Sequence, residues 1–429
     1  MSTVPGESAP GESVPGEAGP ATAAVPRTVR SQPVDLVGTL LHRLPHAGDA
    51  LAWVRDGSGL VGWGAAARLE VTGPDRFARA RDWWHAVVAH AEIEDEVVAR
   101  GTGPVAFGSF AFRDDEPSVL VLPEVLLGRA DGRTWLTTVG EPPRLASPEP
   151  VRGTRGLRYA HGQLSVTQFH DAVRRAVARI ANGELDKVVL AHDLLAVADE
   201  DIDVRAVLAG LAARNPGCWT FAVDGLVGAT PELLVSLTGD RVVSRVLAGT
   251  TARGGDAADD HGRVEALLHS AKDREEHRYA VESLVQALAP HVRDLEVPAA
   301  PHPLGFSNVT HLASDVTASL GDGSAVLDLL GAVHPTAAVG GTPTAAALDL
   351  IAELEQMDRG RYTGPVGWVD AAGDGEWGIA LRCAQLDGPT ARLFAGGGIV
   401  SGSDPDSEVL EAQAKLIPVR DALEGAGRR

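Results

Sequence analysis

Between residues 34 and 140, short apolar runs alternate with polar turns. Four of them, residues 51–55, 105–112, 118–122 and 134–139, read as strands. Residues 75–90 instead place their apolar side chains at helical spacing. The stronger patterns lie further along. Ser165 can cap a helix whose Phe169, Val173, Val177 and Ile180 recur every three or four residues, with Gly183 placed for a left-handed C-terminal cap. Residues 187–197, 218–223 and 225–229 read as strands, and residues 233–237 and 241–247 as a hairpin turning on Thr238-Gly239-Asp240. A long helix is expected over 261–289, another after Pro343, and a last one over 404–424, whose acidic opening suits a helix N-terminus. The pattern predicts an α+β protein in two halves, 33–150 and 151–429, joined through a Pro-rich stretch at 141–152 that is too short to make them independent.

Composition changes this picture mainly at one end. Residues 1–32 carry the degenerate repeat Pro5-Gly6-Glu7-Ser8, Pro10-Gly11-Glu12-Ser13, Pro15-Gly16-Glu17, and have almost no large apolar side chain. They read as a disordered tail, because they cannot bury enough surface to offset the entropy of ordering. The 38 Lys and Arg against 58 Asp and Glu leave a net charge of −20, which excludes general attraction to nucleic acid or an anionic membrane. An anionic ligand must therefore meet a local cluster of cations. No apolar run reaches the roughly 20 residues of a membrane span, and no signal-peptide core opens the chain. Two cysteines, Cys218 and Cys383, cannot build a disulfide framework or a four-thiolate zinc site. A reducing, cytoplasmic setting is expected.

Candidate chemistry is concentrated in the second half. Asp273 and Glu276, and again Glu408 and Glu411, stand three residues apart, so each pair shares one face of its helix. Solvated helix surface explains either pair alone. Two such faces brought together would need a cation, and hard oxygen donors select Mg²⁺. Lys187 opens an apolar strand, where burial would lower its pKa toward a general base's range, although a strand-edge lysine is more often exposed. Glu232 sits at a turn into another apolar strand, where burial would raise its pKa and suit it to acid catalysis. Arg382 interrupts an apolar run and requires an anionic partner, either an internal carboxylate or a ligand. The run from Phe394 to Val400 contains Gly396-Gly397-Gly398. It fails as a dinucleotide loop because Ser401 stands where the third glycine belongs, yet its bare backbone allows close approach to an anion. His334-Pro335-Thr336 supplies a further polar loop, though a lone histidine is more often structural.

Taken in order, these segments resemble the chorismate-utilising enzymes over residues 165–423. The resemblance rests on Lys187-Val188-Val189-Leu190, Thr230-Pro231-Glu232-Leu233-Leu234, Leu247-Ala248-Gly249-Thr250, Lys272-Asp273-Arg274-Glu275-Glu276-His277, His334-Pro335-Thr336, Ala395-Gly396-Gly397-Gly398-Ile399-Val400 and Glu408-Val409-Leu410-Glu411. In the first half, Gly108-Ser109-Phe110-Ala111-Phe112 is similar to the family's glycine-aromatic strand. The resemblance implies a single chorismate-binding catalytic domain over 33–429, with two similar halves of extensive antiparallel sheet around a central cleft. It further implies a Mg²⁺ site at Glu276 and Glu411, with Asp273 and Glu408 acting directly or through water. Chorismate would be held by Gly249, Thr250, His334, Ala338, Arg382, Gly396, Gly398 and Lys415. Lys187 would activate water for attack at C2, while Glu232 protonates the departing C4 hydroxyl.

Within the family, the chain resembles the isochorismate synthases, isomerases whose product feeds menaquinone and catechol or salicylate siderophore formation. Lys187 disfavours the aminating anthranilate and aminodeoxychorismate synthases, which usually lack that lysine. Ala338 stands where salicylate synthases and aminating members typically carry threonine, so it disfavours pyruvate elimination. An inactive chorismate-binding relative would have lost one of Lys187, Glu232, Glu276 or Glu411, and all four are present. The one departure is Ala191-His192, in place of the usual Ser-Arg. No obligatory protein partner is implied, and a monomer is expected.

Overall fold

Alternating strands bury their apolar side chains in this protein by facing two sheets toward one another. The computed structural model describes residues 28–141, 148–254, 256–306 and 309–425. The larger sheet has 13 strands and the smaller 10, and each draws strands from both halves of the chain. In the larger, Trp219–Val223 pairs with Leu51–Arg55, and in the smaller, Pro365–Asp370 pairs with Val105–Ser109. Pairing is antiparallel except where Thr28–Pro33 runs parallel to Glu92–Asp95. Trp53, Trp219 and Phe221 from the larger sheet meet Phe107, Leu233 and Trp368 from the smaller in a shared core.

Eight helices among the described residues accompany the sheets: α1 (Arg76–Ala89), α2 (Val166–Ala181), α3 (Val204–Arg214), α4 (Ala257–His269), α5 (Ala271–Leu288), α6 (Val326–Val333), α7 (Thr344–Glu355) and α8 (Pro405–Gly425). The predicted start of α2 is a reciprocal cap. Ser165 Oγ accepts the Gln168 N–H, while Gln168 Oε1 accepts the Ser165 N–H at 3.0 Å. Its buried face is Phe169, Ala172, Val173, Ala176 and Ile180, and Gly183 takes the expected left-handed conformation at φ +78°.

Three expectations are corrected. The helix expected over 261–289 is two helices, because Ser270 is extended (ψ 117°) and its hydroxyl accepts the Asp273 N–H at 3.2 Å, starting α5 in a new direction. The assignment of 1–32 to a tail also extends too far. Residues 28–33 form a strand in which Val29 is fully buried and Ser31 Oγ bonds Thr137 Oγ1 at 2.7 Å. Residues 1–27, and 142–147 of the Pro-rich stretch, lie outside the described residues. Strand 105–112 is shorter than expected, ending at Ser109, although Phe110, Ala111 and Phe112 stay buried beyond it.

Candidate active site

The chain crosses between the sheets at adjacent points. Pro231-Glu232 links Leu226–Thr230 of the larger sheet to Leu233–Thr238 of the smaller, and Ala380-Leu381-Arg382 links Gly375–Ile379 back to Cys383–Asp387. The Ile379 N–H donates to Glu232 O and the Ala229 N–H to Arg382 O, which ties the crossings together. At such a crossing the ladder ends and side chains enter the gap between sheets. A cavity there holds about 580 Å³ of empty space, part of it open solvent. Glu232, Gly249, Thr250, Ala338, Arg382, Gly396, Gly398 and Lys415 all line it, together with Glu276.

Glu232 is 4% exposed. Burial pushes its carboxyl up to about 8, against the opposing pull of the Leu247 N–H and the cations Lys187, Arg382 and Lys415. At neutral pH it carries its proton. Lys187 is wholly shut off from solvent, with its Nζ 3.4 Å from Glu276 Oε1. That separation makes an ion pair, yet among the described residues the ammonium donates no hydrogen bond. Gly398 stands between them by necessity, since a Cβ there would lie 2.1 Å from Glu276 Oε1 and 2.8 Å from Lys187 Cε.

Gly249 is the extra residue of a bulge, where the ladder with Val309–Leu320 shifts between Ala248 and Thr250. It adopts φ +78°, and a Cβ would lie 2.9 Å from Asp273 Cβ, so glycine lets α5 approach the strand. His277 completes this docking. Its Nδ1 donates to Ala248 O at 3.2 Å and its Nε2 accepts from Ser314 Oγ at 2.8 Å, an arrangement of the neutral ring, whose pKa burial pushes down to about 4.

Arg382 anchors a relay. It is left-handed (φ 49°), and its Nη2 donates to His311 Nε2 at 3.1 Å, so the other ring nitrogen carries the proton toward Thr250 Oγ1 at 3.0 Å. The Thr250 hydroxyl in turn bonds Glu411. Burial holds His311 well below its ordinary range and hence neutral.

Three lysines each meet one carboxylate near the glycine strand. Lys187 faces Glu276, Lys272 Nζ bonds Glu408 Oε1 at 2.6 Å, and Lys415 Nζ bonds Glu411 Oε1 at 2.6 Å and Gly396 O at 2.8 Å. Burial and the neighbouring Glu411 raise the Glu408 carboxyl; for Glu411 burial acts upward too, but Lys415, Lys272 and the Thr250 hydroxyl together outweigh it and hold the group low. Lys272 feels Glu408, Glu411 and Glu276 together, so those three carboxylates share one neighbourhood.

Residues 22–141 and 146–424 match the family of chorismate binding enzymes. The chain belongs to this family. Among chorismate-binding relatives, isochorismate synthase DhbC of Bacillus subtilis is 40% identical over 306 residues, covering 65% of this chain and 77% of its own. The salicylate biosynthesis isochorismate synthase of Pseudomonas aeruginosa is 34% identical over 409 residues, covering 88% of this chain and 85% of its own. The structure of MenF, the menaquinone-specific isochorismate synthase of Escherichia coli, superposes with a TM-score of 0.77 at 26% identity, over 94% of this chain and 96% of that one. The α+β architecture expected from sequence is therefore the chorismate-binding fold.

Not every predicted residue joins the cavity. Lys187, Asp273, Glu408 and Glu411 do not line it, and neither does His334. Its buried ring donates from Nε2 to Phe112 O at 3.2 Å and packs against Phe77 and Phe112, holding the two halves together. Asp273 packs against Gly249, and Glu408 is 3% exposed behind Gly397. Among the described residues no three acidic or imidazole groups stand close enough to cage a metal by themselves. Mg²⁺ does not require a cage. It ordinarily takes one or two carboxylates and completes its shell with water and substrate oxygens, so the hard oxygen donors Glu276, Glu408 and Glu411 fit it chemically.

Sequence reasoning missed His311, Lys272 and a buried pair, Glu355 and Arg359. Glu355 Oε1 accepts the Ala191 N–H at 2.8 Å, while Arg359 donates to Glu355, to Val189 O at 2.8 Å, to Val339 O at 3.1 Å and to Thr363 Oγ1 at 3.3 Å. Val189, Val339 and Thr363 all line the cavity, so one ion pair fixes three pieces of its wall. The i, i+4 spacing of Glu355 and Arg359 was the available signal.

Proposed function

We propose that the protein is an isochorismate synthase, converting chorismate to isochorismate by adding water at C2 and expelling the C4 hydroxyl. One observation carries the reading: a carboxyl kept protonated lines a cavity whose wall residues Glu276 and Gly398 stand directly against a buried lysine with an unbonded nitrogen. Glu232, holding its proton at neutral pH, donates it to the departing hydroxyl. Lys187, whose Nζ has no hydrogen-bond partner among the described residues, is the general base that takes the attacking water's proton in this reading. Arg382, oriented through His311 and Thr250, and Lys415 supply the cations that an otherwise acidic protein needs for an anionic substrate. Bound Mg²⁺ would be held by Glu276 and Glu411, with Glu408 and Asp273 behind them, and would neutralise a substrate carboxylate.

The reading stops at isochorismate. Ala338 brings no hydroxyl to the cavity wall, and its N–H is turned to Thr336 Oγ1 at 3.3 Å. The protein is read as a cytoplasmic monomer; no helix among the described residues is long and apolar enough to cross a membrane. Incubation with chorismate and Mg²⁺, without any ammonia source, should yield isochorismate and no pyruvate by chromatography and mass. Salicylate with pyruvate, or turnover only on adding ammonia, would sink the reading.

A further inference from the structure

A second hollow, of about 1090 Å³ with the open solvent at its mouth included, lies between the start of α1, residues 112–114, His334-Pro335 and α7. Its floor is apolar, made by Phe112, Pro335, Leu348, Ile351 and Met357. Arg76 reaches into it while only 6% exposed. The guanidinium is poorly satisfied. Nη1 donates one long hydrogen bond to Gly73 O at 3.5 Å, Nε donates none, and the group rests 4.8 Å over the Phe77 ring. Asp114, exposed at the mouth, attracts it through space without bonding to it.

The other cations around the hollow are already engaged, Arg113 with Asp115 and Arg359 with Glu355, and His334 is buried and bonded to Phe112 O. A buried, under-bonded cation beside an apolar floor is costly unless something completes it. We propose that this hollow binds a small organic acid with one carboxylate on an apolar body, the carboxylate on Arg76 and the body against Leu348, Ile351 and Met357. Asp114 and Asp349 at the rim oppose a second negative charge, which disfavours a dicarboxylate such as chorismate. The inference does not depend on the reaction proposed above. Its position does bear on the catalytic cavity, because Glu355 and Arg359 line this hollow and bond the wall of that one.

Benzoate is the probe, titrated calorimetrically into the full chain with and without excess chorismate. Saturable binding that survives chorismate, and that weakens at least about tenfold in both Arg76→Met and Leu348→Trp with unchanged circular dichroism, is the expected result. Leu348→Trp fills the floor from a partly exposed face of α7, so it decides alone should Arg76→Met fail to fold. Absence of saturable binding, displacement by chorismate, or undiminished binding in Leu348→Trp overturns the proposal.

Discussion

Replacing Glu232 by glutamine preserves the side chain's shape and removes only its ionisation, so its effect on stability should depend on pH in a calculable way. The carboxyl has an ordinary value of 4.5 and is pushed to about 8 in the fold. Between those limits the folded protein holds a proton that the unfolded chain has released, so native stability falls as pH rises. Each unit is worth 1.36 kcal/mol, and the interval amounts to at most about 5 kcal/mol, fully lost above about pH 8. The variant carries no such penalty. Urea unfolding of both proteins at pH 5, 6.5, 8 and 9 should therefore show the Glu232→Gln protein gaining on its parent as pH rises, then holding a constant lead. Taking the difference cancels every other titrating group the two share. Turnover should move oppositely: the parent loses activity as pH rises through about 8, and the variant has about 10²- to 10⁴-fold lower kcat throughout. A stability difference that stays flat across the range would show that the carboxyl is not held protonated, and the acid role would fall with it.

Lys187→Ala should abolish turnover while leaving circular dichroism and cooperative unfolding intact; retained activity would remove the base assignment. Glu276→Gln should raise the Mg²⁺ concentration for half-maximal activity, whereas Lys272→Met, which frees Glu408 from a competing cation, should lower it, and an unchanged metal titration in both would place the metal elsewhere. Arg359→Met leaves Glu355 buried without its counter-charge and should cost about 3–5 kcal/mol, while the double change Glu355→Leu with Arg359→Met recovers much of that stability but not kcat, because the cavity wall loses its bonds. Denaturation and steady-state kinetics on the three proteins would refute this if the double variant were the least stable.

What could be read from the sequence was local and periodic. The α2 cap, the hairpin turning at Gly239 and the strand opened by Lys187 are each specified by neighbours within a few residues, and each is where the pattern puts it. Lys187, Glu232 and Arg382 stood out because a charge in an apolar run is conspicuous; buried Glu232 and half-buried Arg382 line the cavity, and Lys187 is buried against its wall residues Glu276 and Gly398. His311 sits in an unremarkable context, and Lys272, although it opens a motif of the resemblance, shows no role through its neighbours; both acquire one through partners far away in sequence, Arg382 and Glu408. The break at Ser270 was harder to see because helical spacing continues on both sides, and only the hydroxyl's capture of the Asp273 N–H marks the new start. His334 is the reverse case: a family motif marked it for the substrate, while its ring packs between Phe77 and Phe112.

The seams in the two sheets bear on how such a chain can be recombined. Thr220 sits opposite Val54 in one sheet and Val366 opposite Ser109 in the other, so the first half contributes central strands, not an appended lobe. A transplanted first half would have to match two strand registers at once, and a slip of one residue at either seam would turn a whole row of side chains to the wrong face. Cutting the backbone between residues 141 and 148 should accordingly yield two fragments that stay together through gel filtration, each a poor folder without the other. For this fold the unit of inheritance is the complete pair of sheets, which makes point substitution inside the cavity a more accessible route to new chemistry than exchange of halves.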